Sequence, residues 1–328
     1  MKLKYIIALI ALSCIVIIYN SQGKSKPYLF TRKIVQDSVT KIHSIIDKNI
    51  KEHEFLYAHE DTLLSYKQQH DSLFLLDLYS LTGDSFIKHT EIELPIPQIV
   101  ATKQNSIFYI NKFQLCKQDI NDGERLQLSP NDCYIYNSYP INMNLHICLG
   151  TKLMDGQYIT GFYLLENKNV RLVKQIESNK DTTSIYMNSL AYSGSFTKSK
   201  KYISYYCNKM SHIYIFNLDA QYIAHVRTKE NVPEPEIFLF NGIYLYKRGH
   251  TFQTNIGMYE QDDYIHVLSY RTEHSQIILD KYSIKSGKYT NSYTINENCN
   301  NKFVNSVFQY NSLIVINLQD RFISLQLL

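Results

Sequence analysis

The 328-residue chain is 45% hydrophobic and 20% charged, with a formal net charge of +4 and no dense Lys/Arg block. That balance excludes a disordered polyelectrolyte and gives no support to nucleic-acid binding, while the length allows one large all-β domain or two ordinary ones. Twenty-eight Tyr and fifteen Phe stand beside no Trp. A sugar-stacking surface is one reading of the tyrosines, but the liking of strands for aromatic residues already accounts for them.

The chain opens with "MKLK", an apolar segment from Tyr5 to Tyr19, and then "NSQGKSKP", the three-part layout of a secretory leader. The apolar run is shorter than the roughly 20 residues a helix needs to cross a bilayer, which favours a removable leader over an uncleaved anchor. Ser21 and Gly23 supply small side chains at a cleavage site, so residues 1–23 read as a signal peptide and Lys24 as the new N-terminus. "ALSC" places Ser13 before Cys14 in the manner of a lipobox, but "IVIIY" follows the cysteine where a polar tether belongs. Lipidation of Cys14 is therefore set aside in favour of a cysteine interior to a leader.

Helix signals beyond the leader are scarce. The best, "DSVTKIHSIIDKNIKEH" from Asp37 to His53, nearly follows helical spacing, yet its β-branched residues suit an outer strand almost equally. Residues 24–54 read as an N-terminal segment that contributes a closing strand, for which "PYLFTRKIV" (Pro27 to Val35) is the first choice.

From residue 55 onward a unit recurs: a small polar turn pair, then a short apolar run ending in a polar residue. Its copies are "DSLFLLD", "NSIFYIN", "GQYITGFY", "SHIYIFN", "DDYIHVL" and "NSLIVIN", beginning at 71, 105, 156, 211, 262 and 311. The steps average about 48 residues, the spacing of a four-stranded propeller blade. A second run follows most copies behind a Gly, Asp or Asn turn, making a hairpin, and runs such as "PQIVAT", "MNLHICLG" and "KYISYY" precede several, suited to inner strands. The expected fold is an all-β, six-bladed β-propeller of four-stranded antiparallel blades over residues 55–328, with seven blades next and paired β-sandwiches after that. The toroid closes by mixing strands from both chain ends, since otherwise two strand edges stay open.

On those repeats the chain resembles the six-bladed, TolB-like propellers that bacteria export. The resemblance implies a periplasmic or secreted protein. It departs from that family in its poor lipobox and its few glycines between blades.

No Gly-rich phosphate loop, HExxH, GxSxG or EF-hand loop occurs, so no catalytic residue, metal ligand or cofactor is assigned. Leaving aside Cys14, five cysteines remain (Cys116, Cys133, Cys148, Cys207 and Cys299), an odd number without zinc spacing that reads as mostly structural thiols. His53, His59 and His70, with neighbouring carboxylates, form the densest His/acid cluster, and read as a solvated strand end with its turn. "ENVPEPEIFLFNGIYLYKRGH", Glu230 to His250, is the place chosen for a binding site. Pro233 and Pro235 stiffen a loop carrying Glu234 and Glu236 into a hairpin that ends with Lys247, Arg248 and His250. Converging opposite charges there suit a polar ligand. "TSIYMNS" (Thr183 to Ser189) and "SYRTEH" are no stronger.

The expected function is that of an exported, non-catalytic propeller binding a protein or peptide partner of the cell envelope through its blade loops. The alternative is a propeller enzyme, a metal-assisted hydrolase or lyase with its site at the central channel. A monomer is expected, touching membrane only through an uncleaved N-terminal segment.

Overall fold

The computed structural model describes residues 30–35, 39–45, 54–59, 62–70, 73–82, 85–94, 98–121, 123–270, 277–295, 304–310, 313–318 and 322–327. Side chains are described at 30–35, through most of 98–295 and in part of 304–323. Residues 1–23, with Cys14, Ser21 and Gly23, and also Cys299, lie outside the described residues, as do the side chains of the His53, His59 and His70 cluster.

Four sheets form from consecutive strands. The first joins β3 (Glu54–His59), β4 (Thr62–His70), β5 (Leu73–Thr82) and β6 (Ser85–Leu94), and the second joins β7 (Ile99–Lys103), β8 (Ser106–Asn111), β9 (Gln114–Asp119) and β10 (Arg125–Gln127). The third joins β11 (Cys133–Pro140), β12 (Leu145–Met154), β13 (Gln157–Glu166) and β14 (Asn169–Asn179). After helix α1 (Thr183–Ala191) comes the fourth: β15 (Gly194–Lys198), β16 (Tyr202–Cys207), β17 (His212–Asn217) and β18 (Tyr222–Arg227).

The two ends of the chain complete the remaining large sheets. β21 (Asn255–Gln261), β22 (Tyr264–Ser269), β23 (Ile277–Ser283) and β24 (Tyr289–Ile295) carry a fifth strand, β1 (Ile34–Val35), parallel to β24. A further four-stranded sheet joins β25 (Val304–Tyr310), β26 (Leu313–Leu318) and β27 (Phe322–Leu327) to β2 (Val39–Ile45). Between the fourth and five-stranded sheets stands a separate hairpin, β19 (Ile237–Phe240) and β20 (Ile243–Tyr246).

The first strand of each large sheet adjoins that of the next, running β3, β7, β11, β15, β21 and β25, and β25 adjoins β3. The molecule is therefore an all-β propeller, mostly of four-stranded antiparallel blades. Gly257 shows how tightly its inner ring is drawn: a Cβ there would stand 2.6 Å from the Cβ of Val307, so β21 and β25 approach closely only because position 257 has no side chain.

The core lies between sheets. Phe162 and Leu149 of the third sheet pack against Phe196, Tyr205 and Phe216 of the fourth, whose other face gives Ile213 and Ile215 to Met258, Ile265 and Val267 of the five-stranded sheet. Middle strands therefore bury both faces. β8 buries five consecutive residues and β22 buries Ile265–Ser269, which is why they read in the sequence as unbroken apolar runs. The tyrosines join this packing: Tyr163, Tyr205, Tyr259 and Tyr282 are among the largest fully buried side chains.

Each copy of the sequence repeat falls on a different large sheet, on β5, β8, β13, β17, β22 and β26. Three of these are second strands and three are third strands, which explains the uneven spacing. "MNLHICLG" and "KYISYY" are corrected from inner strands to the second strands β12 and β16. The first choice for the closing strand is corrected too: Pro27 to Val35 supplies β1 on β24, while the pairing with the final strand comes from β2. That strand lies inside the candidate helix, so Asp37 to His53 is strand where it is described. The helix that does form, α1, comes from "TSIYMNSLA".

The segment before β1 is pinned by a buried ion triad. The Arg32 guanidinium donates from Nε and Nη2 to Asp280 at 2.9 Å each and from Nη2 to Glu230 at 3.1 Å, with all three side chains almost wholly enclosed. Ser292 donates to Asp280 at 2.6 Å, Ser269 donates to Glu230, and the guanidinium lies over the Phe30 ring. Burial and then the Asp280 charge raise the Glu230 pKa, while Ser269 and Arg32 oppose the rise.

Candidate functional site

The β8–β9 turn, α1 and the long connection from β18 to β21 come together at one place on the propeller. Just ahead of the helix, Asp181 accepts from the Thr183 backbone N–H at 2.9 Å and from its hydroxyl at 2.7 Å, satisfying a first-turn donor that has no partner within the helix. Tyr186 of α1 is half exposed and joins neighbours on either side: Phe113 of the β8–β9 turn lies edge-on at 5.3 Å, and Tyr244 of β20 stacks at 5.5 Å. Phe113 occupies a positive φ of 66°, a strained setting for an aromatic residue, and this turns its ring toward the helix.

The β18–β21 connection is tied down at both ends. Thr228 N–H donates to the Ser211 carbonyl at 2.8 Å, the buried Val232 donates its N–H to Ser211 Oγ at 3.0 Å, and Thr254 N–H donates to the Asn208 carbonyl at 2.8 Å. Between these points the hairpin turns through Asn241 and Gly242, with φ of 49° and 81°, the type I′ geometry that Asn-Gly favours. Register pairs Ile237 with Tyr246 and Leu239 with Tyr244 on one face, and Phe238 with Leu245 and Phe240 with Ile243 on the other. The first face looks inward at its base, where Ile237 packs on the core and Tyr246 donates to the Leu190 carbonyl at 2.7 Å, while Leu239 nearer the turn is exposed at 57%. The second face is entirely apolar and exposed, with Phe238 at 43%, Leu245 at 41%, Phe240 at 57% and Ile243 at 62%.

The four residues chosen from the sequence lie along this connection but do not converge. Glu236 pairs with Lys247 at 2.7 Å and with His250 at 2.8 Å, all three about half exposed, and the Lys247 hydrogen bond holds the Glu236 carboxyl below its usual range. Arg248 is exposed and has no partner among the described residues. Glu234 is exposed, and its charge acts instead on Glu177 of β14, Tyr192 and Tyr214 of β17.

Burial raises the Glu177 pKa, the Glu234 charge adds to the rise, and Asn188 and Tyr192 oppose it. His212 accepts from or donates to Tyr214 at 3.3 Å, and burial beside His225 and Arg227 lowers its pKa to about 4, so it is neutral at pH 7. Glu260 of β21 is a separate group. It is enclosed near Ser204 and Ser199, neither carboxyl oxygen has a partner at full hydrogen-bond geometry among the described residues, and burial pushes its pKa up to about 8 against the pull of both serines. Cys116, Cys133, Cys148 and Cys207 are free thiols, and burial pushes the Cys133 thiol up to about 12, far from a reactive thiolate. Among the described residues no group of three or more His, Cys, Asp or Glu side chains is placed to hold a metal.

Sequence reasoning singled out the charged residues of this connection and passed over its apolar ones. The missed signal was in the quoted stretch: "IFLFNGIYLY" is apolar at every position on both sides of its Asn-Gly turn, so a two-stranded hairpin made from it presents apolar side chains on both faces. Tyr186 carried no comparable mark.

No family model and no curated protein matches the chain. Among solved structures it is similar to a streptogramin B lyase at 12% identity, covering 88% of this chain and 98% of that one with a TM-score of 0.40. It is similar to virginiamycin B lyase from Staphylococcus aureus at 9% identity, with coverage of 88% and 99% and a TM-score of 0.42. The WD40 repeats of RRP9 align at 7% identity, with coverage of 88% and 100% and a TM-score of 0.41. Among the described residues no helix is long and apolar enough to cross a membrane.

Proposed function

We propose that this chain is an exported, non-catalytic six-bladed propeller that binds a protein or peptide partner through the face carrying α1 and the β19–β20 hairpin. The blade count takes the five-stranded sheet as one blade with β1 as an addition, in keeping with the cyclic order of first strands. Export, extracytoplasmic residence and kinship with TolB-like propellers rest on the leader and the repeats.

One observation carries the binding reading: the solvent-facing side of the hairpin is made of Phe238, Phe240, Ile243 and Leu245. A soluble hairpin with one wet face alternates apolar and polar residues, and a contiguous exposed apolar patch marks an interaction site. Aromatic and aliphatic anchors on a rigid scaffold are what interface hot spots are made of.

The test immobilises residues 24–328 and pans them with a phage-displayed library of random dodecapeptides. The reading expects enriched peptides whose affinity falls at least about tenfold in Phe240→Ser/Ile243→Ser, with the melting temperature unchanged. Enrichment no better than a blank surface, or binding indifferent to the double substitution, contradicts it.

A further inference from the structure

We propose that the occupant of the hairpin is an extended peptide segment that adds a third strand along β20, an inference that rests on the partner-binding reading above. The backbone supplies the first reason. Lys247 N–H donates to the Glu236 carbonyl at 2.8 Å, so the alternation of an antiparallel ladder makes 238/245 and 240/243 the hydrogen-bonded pairs. The N–H and C=O groups of Tyr244 and Tyr246 therefore point outward from β20, and they have no backbone partner among the described residues. α1 lies closer to β19 and meets β20 through the Tyr244 ring and the Tyr246 hydroxyl, side chains of the inward face, so the backbone edge of β20 stays open to another strand. An unpaired edge is a template for another strand.

Side-chain chemistry and size select the occupant. A strand added at β20 continues the face of Leu245 and Ile243 with every second residue, so those residues are apolar. Its end beside Arg248 meets a guanidinium with no partner among the described residues, so an acidic residue or terminal carboxylate belongs there. The four exposed apolar side chains offer on the order of 400 Å², about half of what each partner of a stable dimer contributes. That favours a short extended segment over a second copy of the chain.

A dodecapeptide selected by panning is the probe. Each of its backbone amides is N-methylated in turn and its affinity measured on the intact protein. Strand addition predicts a period of two: methylation of every other amide weakens binding about tenfold or more, and methylation of the intervening amides changes it less than about threefold. It also predicts weaker binding when Arg248 becomes Glu, and recovery when the peptide's acidic end is replaced by Lys. A selected peptide whose binding ignores N-methylation, or follows a helical period, overturns strand addition while leaving partner binding intact. Failure to select any peptide overturns the partner reading itself. Concentration-dependent dimers abolished by Phe240→Ser, or sedimentation with phosphatidylcholine/phosphatidylglycerol vesicles, replace the peptide with a second copy or a membrane.

Discussion

Two hairpins of this molecule share a turn and differ in what they show to water. β13–β14 turns through Asn167 and Lys168 and β19–β20 through Asn241 and Gly242, each pair with two positive φ values. Strand β14 exposes Asn169, Arg171, Gln175 and Ser178, as expected of an outer blade strand whose other face packs inward. β19–β20 exposes Phe238, Phe240, Ile243 and Leu245. The same local geometry is thus used once to end a sheet and once to present an apolar face, and the difference lies wholly in side chains. Stability should depend on what is enclosed between sheets, and binding on what the second hairpin leaves outside.

The largest expected effect is on the enclosed side. Arg32→Ala leaves Glu230 and Asp280 buried together without their cation, and is expected to lower stability by about 3–5 kcal/mol. Urea unfolding reads this directly, and a loss below about 1 kcal/mol would place the triad outside the forces that retain the N-terminal segment.

Glu260→Gln is next, and its effect depends on pH. The folded pKa of about 8 lies above the ordinary 4.5, so between these values the folded protein holds a proton that the unfolded chain has released. This group's contribution is complete below about pH 4.5 and declines as pH rises toward 8. Every pH unit crossed between the two values costs the parent about 1.4 kcal/mol, so the variant should gain on the parent by a few kcal/mol from pH 5 to pH 8. Thermal melts across that range check it, and parallel curves would contradict a protonated Glu260.

The smallest effect on stability should come from the hairpin. Phe240→Ser/Ile243→Ser removes no core contact and should change unfolding free energy by less than about 0.5 kcal/mol. A much larger loss would mean that these side chains support the fold, and the contrast with β14 would fail.

Much of the architecture was legible because middle strands bury both faces: "NSIFYIN" and "NSLIVIN" read as strands from their apolar runs, and one such run marks each large sheet. Blade position was not legible, since second and third strands are equally apolar. Helix α1 escaped because "TSIYMNSLA" has no acidic first turn and no strong apolar stripe, and forms under tertiary packing through Ile185 and Ala191. β2 was ambiguous because a β-branched run at near-helical spacing satisfies both patterns. The triad joins residues 198 and 248 positions apart, a separation that no local pattern records. At the site, the charged residues Glu234, Glu236, Arg248 and His250 drew attention as candidates for chemistry, whereas the apolar outer face becomes visible only once register is known.

The most direct measurement is hydrogen–deuterium exchange at the Tyr244 and Tyr246 amides with and without a selected peptide. The account predicts marked slowing at both when peptide is bound, with the amides of Arg171 and Gln175 on β14 unchanged. Unchanged exchange at Tyr244 and Tyr246 under saturating peptide would contradict it.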